Sequence, residues 1–282
     1  MTAAAKLCKK INGLFKLPSH PFNLNNDGIM TYGEWQYEMG AKTIEFYLPY
    51  SSSDEMFAGK TVLDIGCGAA GKTLYYASLG AKKIYGAEIL DKYKHEAEAH
   101  AKKLGFEDCF EFVNADAAKL PLDSESVDTI IMNDAVEHVD DPAVVLQECR
   151  RVLAAGGRLH LNFPPYYHPF GAHLSDALGM PWVHCFFSDK TLIEVYKDAI
   201  KDLPDGKERL EFRIARNENG SEYFSYINGM TVKRFKRILK EIDMQPVYYK
   251  EIPLRPVFAP LIAVPGLREA AIKMVVCVFE KT

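Results

Sequence analysis

Between residues 60 and 163 the chain alternates short β-rich runs with helical stretches, and nothing else in the sequence constrains the fold as tightly. The strand candidates are 61–65, 83–87, 110–114, 127–132 and 157–163. Before the last of these, Val145, Cys149, Val152 and Leu153 follow the i, i+4, i+7, i+8 spacing of one helix face. Gly156 and Gly157 are expected to end that helix. Such alternation predicts an α/β fold: a doubly wound, mostly parallel sheet with helices on both faces. Further on, Phe235, Ile238, Leu239 and Ile242 mark another amphipathic helix, followed by β-rich runs at 247–252 and 274–279. The Pro-rich stretch between those runs cannot pair in a central strand. The last strand is expected antiparallel beside the fifth, as parallel sheets often allow.

Composition narrows the function classes. With 282 residues, 48% apolar and 26% charged, the chain can bury a full core. Lys and Arg total 34 against 38 Asp and Glu, a formal charge of −4. That balance argues against a general affinity for nucleic-acid backbones, so DNA is not an expected partner. No apolar run approaches the roughly 20 residues that cross a bilayer. Residues 1–18 are basic and mildly amphipathic without the apolar stretch of a secretory signal, a pattern that also suits a helix resting on a membrane surface. The six cysteines form no C-x-x-C pair, which speaks against a zinc ribbon or redox motif and fits a cytoplasmic setting. Cys109 and Cys149 read as small buried hydrophobes.

Four segments follow from this pattern: a helical cap over 1–59, a core over 60–163, an insertion over 164–229, and 230–282 completing the sheet. Eleven of the 66 residues in the insertion are aromatic, and five are proline. A helix is expected after Ser188, with Leu192, Val195, Tyr196 and Ala199 on one face. An aromatic insertion after a strand end suits a pocket wall or lid, because ligands bind beyond the carboxyl ends of such strands. A satellite core under a long excursion is the plainer alternative. In the cap, Tyr32, Trp35 and Tyr37 either close over a ligand or pack a helix on the sheet.

The chemistry concentrates in Val62-Leu-Asp-Ile-Gly-Cys-Gly-Ala-Ala-Gly71. A buried strand runs into a tight turn whose Gly66 and Gly68 let a ligand approach the backbone. The spacing also satisfies G-x-G-x-x-G, so the glycines alone do not separate a dinucleotide from other adenosyl ligands. Charge helps. A pyrophosphate at the helix N-terminus disfavours a nearby carboxylate, whereas Asp64 at the turn suits an ammonium or sulfonium group. Glu88 ends the second strand, placed to accept from ribose hydroxyls, and Asp116 ends the third, where it can accept from an adenine amino group.

Asp64-Ile-Gly-Cys-Gly, Glu88, Asp116-Ala117 and the run from Val127 to Val139 resemble the successive motifs of class I S-adenosylmethionine-dependent methyltransferases, particularly the small-molecule (type 11) group. The resemblance implies a Rossmann-like sheet of seven strands with the last antiparallel. It also implies a cofactor, S-adenosyl-L-methionine, across Gly66 and Gly68, its ribose on Glu88 and Ile89, its adenine beside Asp116 and Ala117, and Asn133 facing its methionine part.

Asp134, Glu137 and His138 stand at i, i+3, i+4, which gathers all three on one face if the segment is helical. Such a trio can hold a divalent metal and is similar to the E-x-x-E-H of ubiquinone-pathway O-methyltransferases and small-RNA 2′-O-methyltransferases. Asp134 in place of the first Glu weighs against a metal. His138, His173 and His184 are the candidate general bases for an alcohol or phenol acceptor, with His168 in the same span as the latter two; His168, His173 and His184 are equally candidates for a further metal ligand beside His138. Asn162-Phe-Pro-Pro-Tyr166 echoes the N-P-P-Y element of some amino-methyltransferases but is read as a Pro-rigidified strand exit.

The function expected is methyl transfer by in-line displacement to a small aromatic or apolar acceptor, oxygen favoured over nitrogen or carbon. Three rivals stand beside it: a protein or RNA methyltransferase, an NAD-dependent oxidoreductase sharing the glycine fingerprint, and a non-catalytic binding module on the same fold.

Overall fold

The computed structural model describes all residues from Met1 to Thr282. Its strands are β1 (Thr61–Ile65), β2 (Lys83–Glu88), β3 (Phe110–Asn114), β4 (Val127–Asn133), β5 (Leu153–Phe163), β6 (Ile214–Arg216), β7 (Glu222–Phe224), β8 (Tyr248–Pro253) and β9 (Ile272–Glu280). The chain forms two compact units. One holds residues 32–163, 232–252 and 274–282; the other holds 1–31, 164–231 and 253–273. The 1–59 segment is therefore divided at Thr31, and the Pro-rich link between β8 and β9 joins the second unit.

In the first unit seven strands form one sheet in the order β3-β2-β1-β4-β5-β9-β8. Pairs β1–β2, β1–β4, β2–β3 and β4–β5 are parallel, and β9 runs antiparallel to β5 with Leu161 opposite Cys277. The seven-stranded, mostly parallel sheet and its antiparallel last pair are as the alternation and the resemblance implied. Strands covered on both faces read as continuous apolar runs. Val62, Leu63, Ile130, Ile131, Leu159 and Leu161 are fully buried, each contributing roughly 1.5–3 kcal/mol.

The helix before β5 departs from expectation. It spans Pro142–Val152, with the Asp141 carboxylate accepting from the Ala143 and Val144 amides. It stops short of Gly156, because Leu153 takes an extended conformation and opens β5 opposite Val127. The register then slips, so that Thr129 faces Arg158, and Gly156 sits in the slip at φ +72°. Hydrogen bonds from the Lys281 ammonium to the Leu153 carbonyl (2.7 Å) and from the Gly156 amide to the Lys281 carbonyl (2.7 Å) hold it. These partners lie 125 residues or more downstream, beyond the reach of local periodicity. Cys149 is buried as expected, whereas Cys109 is only half-buried.

The second unit has its own core of Ala5, Cys8, Leu174, Leu178, Leu192, Val195, Tyr196 and Ile200. The helix Ala3–Asn12 is capped by the Thr2 hydroxyl, which accepts from the Ala5 amide. It buries Ala5 and Cys8, and it is tied to the helix Asp189–Ile200 by Thr2 on Glu194 (2.6 Å) and by an ion pair of Lys9 with Asp198 (2.5 Å). The buried face of this amphipathic helix thus has a protein partner. In the helix Asp189–Ile200, capped by Ser188, Ile193 and Ile200 are buried and Ala199 is exposed, so Ala199 does not share the apolar face. β6 and β7 form an antiparallel hairpin. The insertion therefore has a core of its own, built jointly with the chain's first residues. No helix of the protein is long and apolar enough to cross a membrane.

An ion cage fixes this unit. The buried Asp176 carboxylate accepts from Arg209 Nη1 (3.1 Å), Arg213 Nη2 (3.1 Å) and the Tyr196 hydroxyl (2.8 Å). Arg209 also donates to Asp205 (2.8 Å) and Asn23 (2.9 Å). The Arg213 guanidinium lies 4.9 Å from the Tyr226 ring centroid and 5.6 Å from that of Phe22. Burial pushes the adjacent His20 down to about 4, so it is neutral there.

Candidate functional site

The parallel register brings the carboxyl ends of β1, β2 and β3 to one edge: Ile65 pairs with Ala87, and Glu88 with Asn114. Beyond β1 the chain turns through Gly66 (φ +74°) and Gly68 (φ +55°), left-handed positions that favour glycine. Glu88 fastens this turn. One carboxylate oxygen accepts from the Gly68 amide (3.0 Å) and the other from the Leu90 amide (3.0 Å). Each oxygen keeps a further lone pair, and the side chain is only half-buried, so it can accept from a ligand's hydroxyls as well. Ile89, next in line, is 65% exposed and offers an apolar rim. The Asn114 side chain donates to the Glu88 and Ile89 carbonyls (both 3.1 Å), fixing this strand end.

Asp64 lies deeper than a turn residue would. It is 5% exposed and accepts from the Thr73 hydroxyl at 2.6 Å. Burial pushes its carboxyl up to about 7, against the pull of the Thr73 bond and of the Lys72 ammonium. Lys72 itself pairs with Asp134 at 3.6 Å. Asp116 is exposed past β3, where one oxygen accepts from the Ala118 amide (2.8 Å) in a turn that also holds the half-buried Ala117.

Asn133 is more enclosed than a ligand-facing residue. Its oxygen accepts from Tyr47 (2.5 Å) and Asn162 (2.7 Å), and its amide donates to Tyr76 (3.0 Å). The side chain is thus built into a buried network at the ends of β4 and β5. The same bond accounts for Asn162 as the first residue of a rigid strand exit.

Two residues that sequence reasoning did not single out complete the loop. The Gln36 amide, on the helix Tyr32–Ile44, donates to the Cys67 carbonyl (3.1 Å) and accepts from the Gly71 amide (3.2 Å). Lys72 is the other. The helix carrying Gln36 approaches so closely that a Cβ on Gly71 would meet the Gly33 carbonyl at 1.9 Å. A Cβ on Gly68 would meet the Tyr32 ring at 3.0 Å, so Tyr32 covers the turn. Tyr37 packs instead on Tyr75 and His100, at 5.8 and 5.9 Å. No spacing rule links Gln36 to a loop 31 residues away.

The segment after β4 is a turn and not a helix, yet it still brings a Glu137 carboxylate oxygen and a His138 ring nitrogen within 4.8 Å of each other, close enough to share a metal. Asp134 adopts φ +49°, a single turn follows in which the His138 amide donates to the Ala135 carbonyl (2.9 Å), and a helix begins only at Pro142. The three side chains differ accordingly: Asp134 pairs with Lys72, Glu137 is buried, and His138 is exposed. Burial, reinforced by Asp134, pushes Glu137 well above the usual carboxylate range.

The remaining candidate histidines belong to the second unit. His173 takes φ +51°, and its carbonyl accepts from Arg213 (3.3 Å). His168 accepts from the Phe170 amide (3.2 Å), and burial pushes it down to about 4. His184 lines a cavity of about 210 Å³ with Tyr166, Asp189, Leu192, Phe224 and Asn228. Its Nε2 lies 2.8 Å from the Tyr166 carbonyl and so carries the hydrogen, leaving Nδ1 as a buried acceptor without a partner. Burial lowers its pKa, keeping the imidazole neutral.

Residues 63–161 match a family model described as "Methyltransferase domain". The chain is 34% identical over 105 residues to the 27-O-demethylrifamycin SV methyltransferase of Amycolatopsis mediterranei, covering 37% of this chain and 39% of that protein. It is 36% identical over 101 residues to the ubiquinone biosynthesis O-methyltransferase of Cereibacter sphaeroides, covering 36% and 40%. The match thus spans about two fifths of the length of these relatives. An S-adenosylmethionine-dependent methyltransferase from Mesorhizobium loti superposes with TM-score 0.53 at 15% identity, over 87% of this chain and 100% of that one, a likeness of fold. Residues 63–161 thus match a methyltransferase domain, and the fold around them is like that of solved S-adenosylmethionine-dependent methyltransferases.

Proposed function

We propose that the protein transfers a methyl group from S-adenosylmethionine to a small aromatic or apolar acceptor, oxygen favoured as the receiving atom. The observation that carries this reading is the Glu88 carboxylate, anchored on the glycine loop with lone pairs to spare at the carboxyl edge of the sheet. The chemistry of the neighbouring groups fits the cofactor. Buried Asp64 suits an ammonium, Lys72 a carboxylate, Ile89 and Ala117 the face of a base, and Asp116 an exocyclic amine. A dinucleotide is the poorer fit, since its pyrophosphate would meet Asp64 and Glu88.

When bound, the cofactor supplies a methyl group on a good leaving group, so positioning and exclusion of water carry most of the acceleration. The protein's part is to hold the adenosine at Glu88 and to relieve the acceptor of a proton. His184, neutral with Nδ1 bare in its cavity, has the chemistry of that base; exposed His138, and His173 in the second unit, are the weaker candidates. The relatives named for rifamycin and ubiquinone O-methylation support oxygen and an apolar acceptor. The test is to incubate the pure protein with S-adenosylmethionine and a panel of apolar phenols and catechols, following S-adenosylhomocysteine. Product that depends on the acceptor supports the proposal. Cofactor binding with no product from any acceptor favours the binding-module reading, and preference for NAD overturns both.

Asp64 gives the site a pH signature. Its folded pKa of about 7 lies above the ordinary 3.8, so the group keeps its proton up to about pH 7 in the free protein. A cationic ligand needs the ionised form, and binding below that pH must release the proton. Affinity for S-adenosylmethionine is therefore expected to rise about tenfold per pH unit up to about pH 7 and then level off. Calorimetric titration across that range checks this, and Asp64→Asn should flatten the profile; a wild-type affinity independent of pH contradicts it.

A further inference from the structure

We propose that residues 256–267 dock the protein on an anionic lipid surface. This stretch, Pro-Val-Phe-Ala-Pro-Leu-Ile-Ala-Val-Pro-Gly-Leu, has twelve consecutive residues without one polar side chain. Not one of them is buried: Val257 is 74% exposed, Leu267 49% and Val264 40%. Continuous apolar exposure on that scale marks a surface that something covers.

The geometry favours lipid as the occupant. A hydrogen bond from the Leu254 amide to the Ala271 carbonyl (2.8 Å) closes the stem of the excursion. Inside it, 3₁₀ turns satisfy backbone amides, with Phe258 donating to Arg255 (2.9 Å), Val264 to Leu261 (3.0 Å) and Leu267 to Val264 (3.2 Å). The three prolines bring no amide hydrogen to satisfy. A protein interface of ordinary kind would need polar side chains for its hydrogen bonds, and this segment has none. A lipid surface needs apolar side chains to immerse and cations at their base. Exposed Arg255 and Arg268 flank the segment, with exposed Lys273 close behind; the one acidic residue among them, Glu269, is half-buried. That charge distribution complements anionic headgroups.

The proposal does not depend on methyl transfer, and its test uses neither cofactor nor acceptor. The full chain is sedimented with vesicles of phosphatidylcholine alone and of phosphatidylcholine with phosphatidylglycerol. Expected is binding to the anionic vesicles that weakens with added salt and is much poorer on the neutral ones. Val257→Asp with Leu267→Asp should lower the partition at least about tenfold. Arg255→Glu with Arg268→Glu, exposed changes that spare the core, should lower it about fivefold or more per charge. No binding to anionic vesicles, or binding that both double variants leave intact, overturns the proposal. So does a dimer in sedimentation velocity that Val257→Asp breaks, because the segment would then belong to an interface between two copies.

Discussion

Glu88→Ala is expected to weaken S-adenosylmethionine binding at least about a hundredfold, the loss of two charge-assisted hydrogen bonds at roughly 1.5 kcal/mol or more each. The effect has two sources. The alanine removes the acceptor for the ribose hydroxyls, and it also frees the Gly68 and Leu90 amides that Glu88 now holds at 3.0 Å. The glycine turn then loses the tie that shapes it for the ligand. Glu88→Gln keeps one acceptor oxygen and should fall between the two. Because the side chain is half-buried at the sheet's rim, circular dichroism should report an intact fold in both variants. An alanine variant that binds within threefold of the wild type would remove Glu88 from the site.

Asp176→Ala should have the largest effect on stability. Its carboxylate is the shared partner of Arg209 and Arg213, which are themselves 2% and 3% exposed. Removing it leaves Arg213 with aromatic rings and no carboxylate at hydrogen-bond distance, while Arg209 retains Asp205. Breaking a buried pair from one side typically costs about 3–5 kcal/mol, most of it the stranded charge. Urea unfolding should show a midpoint lowered accordingly. Asp176→Asn keeps the shape and a hydrogen-bond acceptor but not the charge, and should recover part of the loss. A change below about 1 kcal/mol in the alanine variant would mean that water reaches the guanidinium groups.

Where bonding was local, the sequence was a reliable guide. β1, β4 and β5 bury apolar side chains on both faces of a parallel sheet, and Gly66, Gly68 and Glu88 sit where strand ends meet in register. Contacts made at long range were hidden. Leu153 matched the helix periodicity, yet it is drawn into β5 by pairing with Val127 and Lys281. Ala199 matched its helix face, and Ile193 and Ile200 fill the core instead. Asp134, Glu137 and His138 have helical spacing on a segment that is one turn long; Glu137 and His138 still come within 4.8 Å of each other, while Asp134 turns to Lys72. Gln36 bridges Cys67 and Gly71 across a gap no motif records, and Asn133 is drawn inward by Tyr47 and Tyr76. The Asp176 cage was the least visible of all. Its parts, Asn23, Asp176 and Arg209, come from segments up to 186 residues apart.

A crystal structure of the protein with S-adenosylhomocysteine bound tests the assignment most directly. Expected are ribose hydroxyls within hydrogen-bond distance of both Glu88 oxygens, the adenine ring against Ile89 with Asp116 at its amino group, and the amino-acid end toward Asp64 and Lys72. A nucleoside found away from Glu88, with the glycine turn still closed under Tyr32, would contradict it.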